Sequence, residues 1–346
     1  MDSVDIKMIS SINLDIVIVG AGASGVGIGI LLRKMQLESF CILEKNTVGE
    51  SFSRWPLEMQ MISPSFTGNF FGMPDLNAVT PETSPAYSFQ TEHPTGKQYA
   101  IYLKDIADYY NLPVVRNVTV ESLKKEGEGY LVKTQNDTLI KAKFVIWAAG
   151  EFQYPNDNPF SGADNCIHNS KVKSWMDFKD EKYFIIGAYE SGIDAAYQLA
   201  KNGKKVVIID ANDPLSNIQS DSSYYIITTE NGEKFTSFTK PFLATGFKTS
   251  LNIVDEFFDF EDGVIQLTDN DESTKSKGIF LVGPQVRHGK VIFCFIYKFR
   301  QRFAVVAQEI VKRLGENEKT KEILDEYKLN NFYLEDLSCC EDECTC

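Results

Sequence analysis

The chain is poor in the residues that build several common kinds of site. Histidine occurs three times in 346 residues, as His93, His168 and His288, too scattered to assemble a triad or a multi-histidine metal centre. Of the seven cysteines, Cys41, Cys166 and Cys294 stand alone, and no Cys-x-x-Cys pair in the body of the chain supplies an internal redox dithiol. Positive charge is also short: 35 Lys and Arg against 48 Asp and Glu leave a formal charge of −13. A nucleic-acid partner is thereby excluded, because displacing phosphate counterions needs clustered basic residues. The longest uncharged run, residues 16–32, would barely span a hydrocarbon core and carries five glycines, with Asp2, Asp5 and Asp15 before it. The expectation is a cytoplasmic protein with no membrane insertion, long enough for two or three domains.

What residues 16–32 do resemble is a strand, a tight turn and a helix. Asp15 to Val19 is a short β-branched run of the kind buried in a parallel sheet, and Gly20-Ala-Gly22-Ala-Ser24-Gly25 follows at once. A helix to about Met35 and a second strand, Phe40 to Leu43, end in Glu44, nineteen residues after Gly25. This is a dinucleotide fingerprint with its acid in place: Gly20 for the turn, Gly22 for approach of a pyrophosphate, Gly25 for close helix packing. Glu44 is then placed to accept hydrogen bonds from a ribose. A glycine-rich structural turn is the plainer alternative for the same residues.

A second unit starts at Tyr183. Its strand leads into Gly187-Ala-Tyr189-Glu190-Ser191-Gly192, a helix to Lys201, and a strand Lys205 to Ile209 that ends in Asp210. Two such units imply two nucleotide cofactors. Tyr189 stands where the middle glycine would be, so a pyrophosphate must approach differently there. Asp210, with no arginine nearby to meet a 2′-phosphate, favours NADH over NADPH. Three more apolar runs stop at glycine: Phe144 to Ala149-Gly150, Pro241 to Thr245-Gly246, and Gly278 to Gly283. Residues 212–223 are polar and turn-like, and Tyr224–Thr229 with Lys234–Phe238 around Asn231-Gly232 predicts a hairpin. Apolar spacing predicts one helix over Lys298–Leu314 and another reaching about Tyr327.

In this order, with Val48-Gly49-Glu50-Ser51-Phe52-x-x-Trp55 between the first unit and the strand ends, the motifs resemble the two-dinucleotide flavoproteins over roughly residues 14–310. They are most similar to the flavin-containing monooxygenase-like branch and to bacterial NAD(P)/FAD-dependent oxidoreductases of the cation-efflux accessory type. The resemblance implies an α/β fold: an FAD-binding Rossmann-like domain with a smaller Rossmann-like NAD(P) domain inserted. Its divisions would be 1–165 and 241–330 for FAD, 166–240 for NAD(P)H, and 331–346 for a cysteine-rich tail. It also implies that Gly20, Gly22, Ser24, Gly25, Glu44, Lys45, Ser51 and Trp55 hold FAD, with the adenine near Val120 and Gly283 at the flavin end. Ser63, Ser65 and Asn69 are candidates for polar contacts to the flavin ring. Pro284 replaces an aspartate common among relatives, and the monooxygenase signature between Gly162 and His168 is degenerate.

The expected activity is reduction of FAD by NAD(P)H, with electrons passed to oxygen and a small sulfur- or nitrogen-containing substrate. A thiol, disulfide or metal-linked reductase using the C-terminal cysteines is the alternative. A non-catalytic flavoprotein with a metal-binding tail is the third reading. That tail holds Cys339, Cys340, Cys344 and Cys346 among acidic neighbours, a set suited to a soft metal ion or a dithiol arm, or to neither. A homodimer is compatible with the same plan.

Overall fold

The computed structural model describes residues 13–66, 74–210 and 214–338. The first sheet is built around β1 (Asn13–Val19), whose β-branched residues are covered on both faces. Helix α1 (Ala23–Lys34) leads to β2 (Phe40–Leu43), and α2 (Gly96–Tyr109) leads to β3 (Val114–Val115). A polar-faced antiparallel meander follows: β4 (Val120–Glu126), β5 (Gly129–Thr134) and β6 (Leu139–Trp147). The order is β3-β2-β1-β6, with β5 and β4 beyond, and Ile279–Leu281 runs parallel to the second half of β6. Register is the functional fact. Val19, Leu43, Trp147 and Leu281 stand in one row, so the residues after them meet at one carboxyl edge.

Helix α1 is buried almost all round, which explains a helix so rich in glycine. A Cβ on Gly27 would lie 2.3 Å from the Phe303 ring, so the glycine lets a crossing helix come close at a cost in helix propensity. That crossing helix begins at Phe303.

The second sheet repeats the plan on a smaller scale. Strands β7 (Ile167–His168) and β8 (Lys182–Ile186), helix α3 (Glu190–Lys201) and strand β9 (Lys205–Ile209) are followed by a three-stranded meander. The meander comprises β10 (Leu215–Asp221), β11 (Tyr224–Thr229) and β12 (Lys234–Ser237). β13 (Phe242–Leu243) completes a parallel order β7-β13-β8-β9. Trp175, Ala195 and Leu199 pack one face of this sheet, and Ile218 and Ile227 of the meander pack the other.

Several expectations need correction here. The hairpin at Asn231-Gly232 is present, but residues 215–221 form a strand rather than a loop, because pairing with β11 outweighs their polar composition. Phe242–Leu243 belongs to the second sheet, so the boundary expected at 240/241 cuts ahead of one of its strands. The C-terminal helix is interrupted. A helical turn at Ile296–Phe299 and a 3-10 turn at Arg300–Arg302 precede α4 (Phe303–Leu314), followed by α5 (Glu318–Leu329). The interruption coincides with two fully buried arginines: Arg302 grips Asp271 through Nε and Nη2 at 3.0 and 2.9 Å, and Arg300 donates to the carbonyls of Asp75 and Ala78. Residues 332–337 are not a free tail, since Phe332 is buried and Leu334 and Leu337 pack on the main core.

Candidate functional site

The two glycine turns are built alike. Gly20 follows β1 with φ +103° and Gly187 follows β8 with φ +106°, a region that side chains rarely adopt. Each donates its N–H across to the next strand, to Leu43 O and Ile209 O, both at 2.8 Å. A Cβ on Gly20 would meet Ala148 O at 2.5 Å, and one on Gly187 would meet Ala244 O at 2.4 Å. Gly25 and Gly192 sit against their own turns in the same manner: a Cβ on either would lie 1.9 or 2.0 Å from the carbonyl oxygen of Gly20 or Gly187. Even the residues ahead of the two helices match, with φ/ψ of −80/−167° at Gly22 and −87/−169° at Tyr189. Those torsions suit any residue. Gly22 is therefore not required by the chain, and the space before it is open.

Glu44 closes the first turn. Its Oε2 accepts the Ala21 N–H and its Oε1 the Asn46 N–H, both at 2.8 Å, in a side chain only 8% exposed. Burial raises its pKa, and the two N–H bonds oppose the rise. Each oxygen keeps a lone pair for a further donor, which is what a ribose diol provides.

Both turns open on one cavity of about 530 Å³, within the range of small-molecule sites. Gly20, Gly22, Ser24, Glu44, Lys45, Ser51, Trp55 and Val120 line it from the first unit; Tyr189, Glu190 and Ser191 line it from the second. Ala149, Gly150, Gly246 and Ser63 also line it. Gly25, Gly187 and Gly192 stand behind the turns. Thr245 turns away to donate to Asn156 O at 2.7 Å, and Gly283 packs against the Ser24 hydroxyl while Pro284 reaches the cavity. Asp210 ends β9 without lining the cavity. Ser65 does not line it either: it is fully buried and donates to Asp75 at 2.5 Å, and Asp75 also accepts from Ser84, Asn77 and Ala86. Asn69, Cys339, Cys340, Cys344 and Cys346 lie outside the described residues.

Sequence reasoning missed several lining groups. Asn77 is 1% exposed, donates to Ser63 O at 2.8 Å and presents its residue to the cavity. Asp75, two residues earlier, accepts its N–H, and Arg300, far along the chain, holds the carbonyls of Asp75 and Ala78 on either side of it. Phe295, Ile296 and Phe299 form an apolar wall with Cys294 at its start. Glu151, Glu190 and Asp194 line the junction, and burial raises the pKa of all three. Asp194 feels Glu58 as well, and its Oδ2 is buried without a partner. His168 is a positioning group: Nε2–H donates to Gly246 O at 3.0 Å while Nδ1 accepts from Ser170 N at 3.2 Å, and burial lowers its pKa. Among the described residues there is no metal-binding group of His, Cys, Asp and Glu, and no helix long and apolar enough to cross a membrane.

The profile of the pyridine nucleotide-disulphide oxidoreductases matches residues 17–229 and 212–283, spanning both turns and the strand into Gly283. The chain belongs to that family. Among curated members, an uncharacterized CzcO-like oxidoreductase of Geobacillus kaustophilus is 26% identical over 196 residues, 55% of this chain and 52% of that one. The chain spans about half the length of the curated relatives it matches. Solved structures, among them the following two, share the fold. The bacillithiol disulfide reductase of Staphylococcus aureus superposes with a TM-score of 0.73 at 18% identity, covering 88% of this chain and 99% of that one. A flavin-containing monooxygenase of Stenotrophomonas maltophilia gives 0.68 at 17% identity, with the same coverage.

Proposed function

We propose that this family member is an FAD-dependent NAD(P)H oxidoreductase acting on a small molecule in the shared cavity. The observation that carries the reading is that both nucleotide-type turns open on the same cavity. FAD, when bound, accepts a hydride and passes electrons to a second acceptor. The chain's own part is to hold and orient. First-turn amides of α1 would hold the pyrophosphate across the open face of Gly22, and Glu44 would accept from the ribose. Trp55, Phe295, Ile296 and Phe299 exclude water from the ring end, with Ser63 and Asn77 as polar contacts there. Tyr189, Glu190 and Ser191 would border the nicotinamide nucleotide. In this reading residues 1–165 and the segment beyond Gly246 form the FAD part, and 166–246 the nicotinamide part.

The acceptor in the first reading is oxygen together with a sulfur- or nitrogen-containing substrate, in a cytoplasmic setting. Cys294 in the cavity wall supports a second reading, reduction of a disulfide or thiol-bound metal, with the C-terminal cysteines as its carriers. Anaerobic stopped-flow reduction with NADH and NADPH, followed by oxygen, tests both. Flavin bleaching by NADH and an oxygenated product support the first; turnover that disappears on deleting residues 339–346 supports the second. A folded protein that takes up no flavin ends both.

A further inference from the structure

The second unit lacks something the first one has. In the first sheet the outer edge of β2 is closed by β3: Ile42 N–H donates to Pro113 O at 3.0 Å and Glu44 N–H to Val115 O at 2.9 Å. All four residues of β2 are buried as a result. β9 holds the same place beside β8 in the second sheet, yet no described strand pairs with its outer edge. Val206 and Val207 are half-buried, and Ile208 is 37% exposed. Helix α3 is similarly less covered than its counterpart α1. It packs on β8 and β9 but leaves Ile193 and Tyr197 52% and 58% exposed. An uncovered, β-branched edge beside an uncovered apolar helix row is a surface that a soluble chain normally protects.

We infer that this edge pairs with the same edge of a second copy of the chain, antiparallel about Val207. The charges on the strand specify that arrangement. Lys204 and Lys205 begin it and Asp210 ends it, so an antiparallel pair sets Lys204 opposite the other copy's Asp210 and Lys205 opposite Ile209. Val206 then faces Ile208 on the α3 side of the sheet, twice over by symmetry. A parallel pairing would bring lysine against lysine. The result is a closed two-fold contact, in which the two four-stranded sheets become one and the β9 edge is covered in both copies. Ile193 and Tyr197 of the two α3 helices flank the joined edge.

The test is the mass in solution of the flavin-loaded full chain, by light scattering and sedimentation, with a thiol reductant present so that cysteines cannot link copies. The expected result is a dimer at micromolar concentration. Ile208→Lys, at an exposed position, should weaken it about tenfold or more, with the flavin spectrum unchanged as evidence of folding. Lys204→Glu should weaken it about tenfold, and adding Asp210→Lys should restore it, because the pair is reversed rather than removed. A monomer at that concentration, or a dimer indifferent to both Ile208→Lys and Lys204→Glu, overturns the inference. These measurements read mass alone, so they stand or fall separately from any nicotinamide or substrate activity.

Discussion

Substitution of Gly22 by alanine separates what the first turn needs for folding from what it needs for a ligand. The backbone there has φ −80° and ψ −167°, and no atom lies within 4 Å of an added Cβ. Folding should barely notice the methyl group. Reduced unfolded-state freedom stabilises by about 0.4–1 kcal/mol, and alanine is worse than glycine ahead of a helix by a similar amount. The melting temperature of the flavin-free protein should therefore move by less than about 2 °C. A pyrophosphate drawn up to the α1 amides meets that methyl group directly. Losing one charge-assisted hydrogen bond costs about 1.5–3 kcal/mol, or about 10- to 150-fold in affinity. Flavin removal, titration by fluorescence quenching, and melting of the flavin-free protein measure both quantities. Gly25→Ala is the contrast, since its methyl group would sit 1.9 Å from Gly20 O and must disturb the turn itself. Unchanged flavin affinity in a normally stable Gly22→Ala protein refutes the placement of the pyrophosphate.

Three further outcomes follow from the same geometry. Tyr189→Gly clears the counterpart of the Gly22 position and should lower the KM for NADH; a higher KM would mean that the phenol supports the nucleotide instead. Glu44→Ala orphans the Ala21 and Asn46 N–H groups, costing about 1–3 kcal/mol each where buried, so flavin-free stability and flavin affinity should fall together, unlike Gly22→Ala. Because burial raises the pKa of Glu44, Glu151, Glu190 and Asp194, their neutral forms are favoured in the folded state. Their contribution is complete below the ordinary carboxylate range and is lost as pH rises through the raised values. Melting temperature of the flavin-free protein should accordingly decline from mildly acid toward neutral pH, and Asp194→Asn, which removes a carboxylate with an unpaired buried oxygen, should flatten that decline and raise stability at neutral pH. An unchanged slope would count against Asp194.

What could be read from the chain alone is what is local. Gly20, Gly25 and Glu44 were legible because strand, turn, helix and strand follow within about thirty residues, and Gly25 and Glu44 make their contacts inside that stretch, to Gly20 and to the Ala21 N–H. Asn77 was not, because the loop around it is held by Arg300, more than two hundred residues further along the chain, and no local spacing records that contact. Membership of Phe242–Leu243 in the second sheet was hidden for the same reason: its partners, Ile167–His168 and Ile185–Ile186, are more than fifty residues away. The strand at 215–221 misled in the other direction. Its serine, asparagine and aspartate favour turns, and only the presence of β11 makes them a ladder.

The two fingerprints also divide their glycines into two kinds that a pattern does not distinguish. Gly20, Gly25, Gly187 and Gly192 are demanded by the polypeptide, since any side chain there would collide with Ala148, Gly20, Ala244 or Gly187 whatever is bound. They report a fold and say nothing about a ligand. The third position is the one the chain leaves free, with the same torsions in both units and a glycine in one but a 61% exposed tyrosine in the other. Selection at that position acts through what approaches the helix terminus. Gly22 and Tyr189 therefore record different ligands, or different distances of approach, at turns that are otherwise copies. Exchanging them is the sharpest comparison available: Gly22→Tyr should abolish flavin retention without unfolding the first unit, whereas Tyr189→Gly should leave flavin in place and change only the nicotinamide step. Loss of flavin from the Tyr189→Gly protein would mean that the two ligands are not divided between the turns in this way.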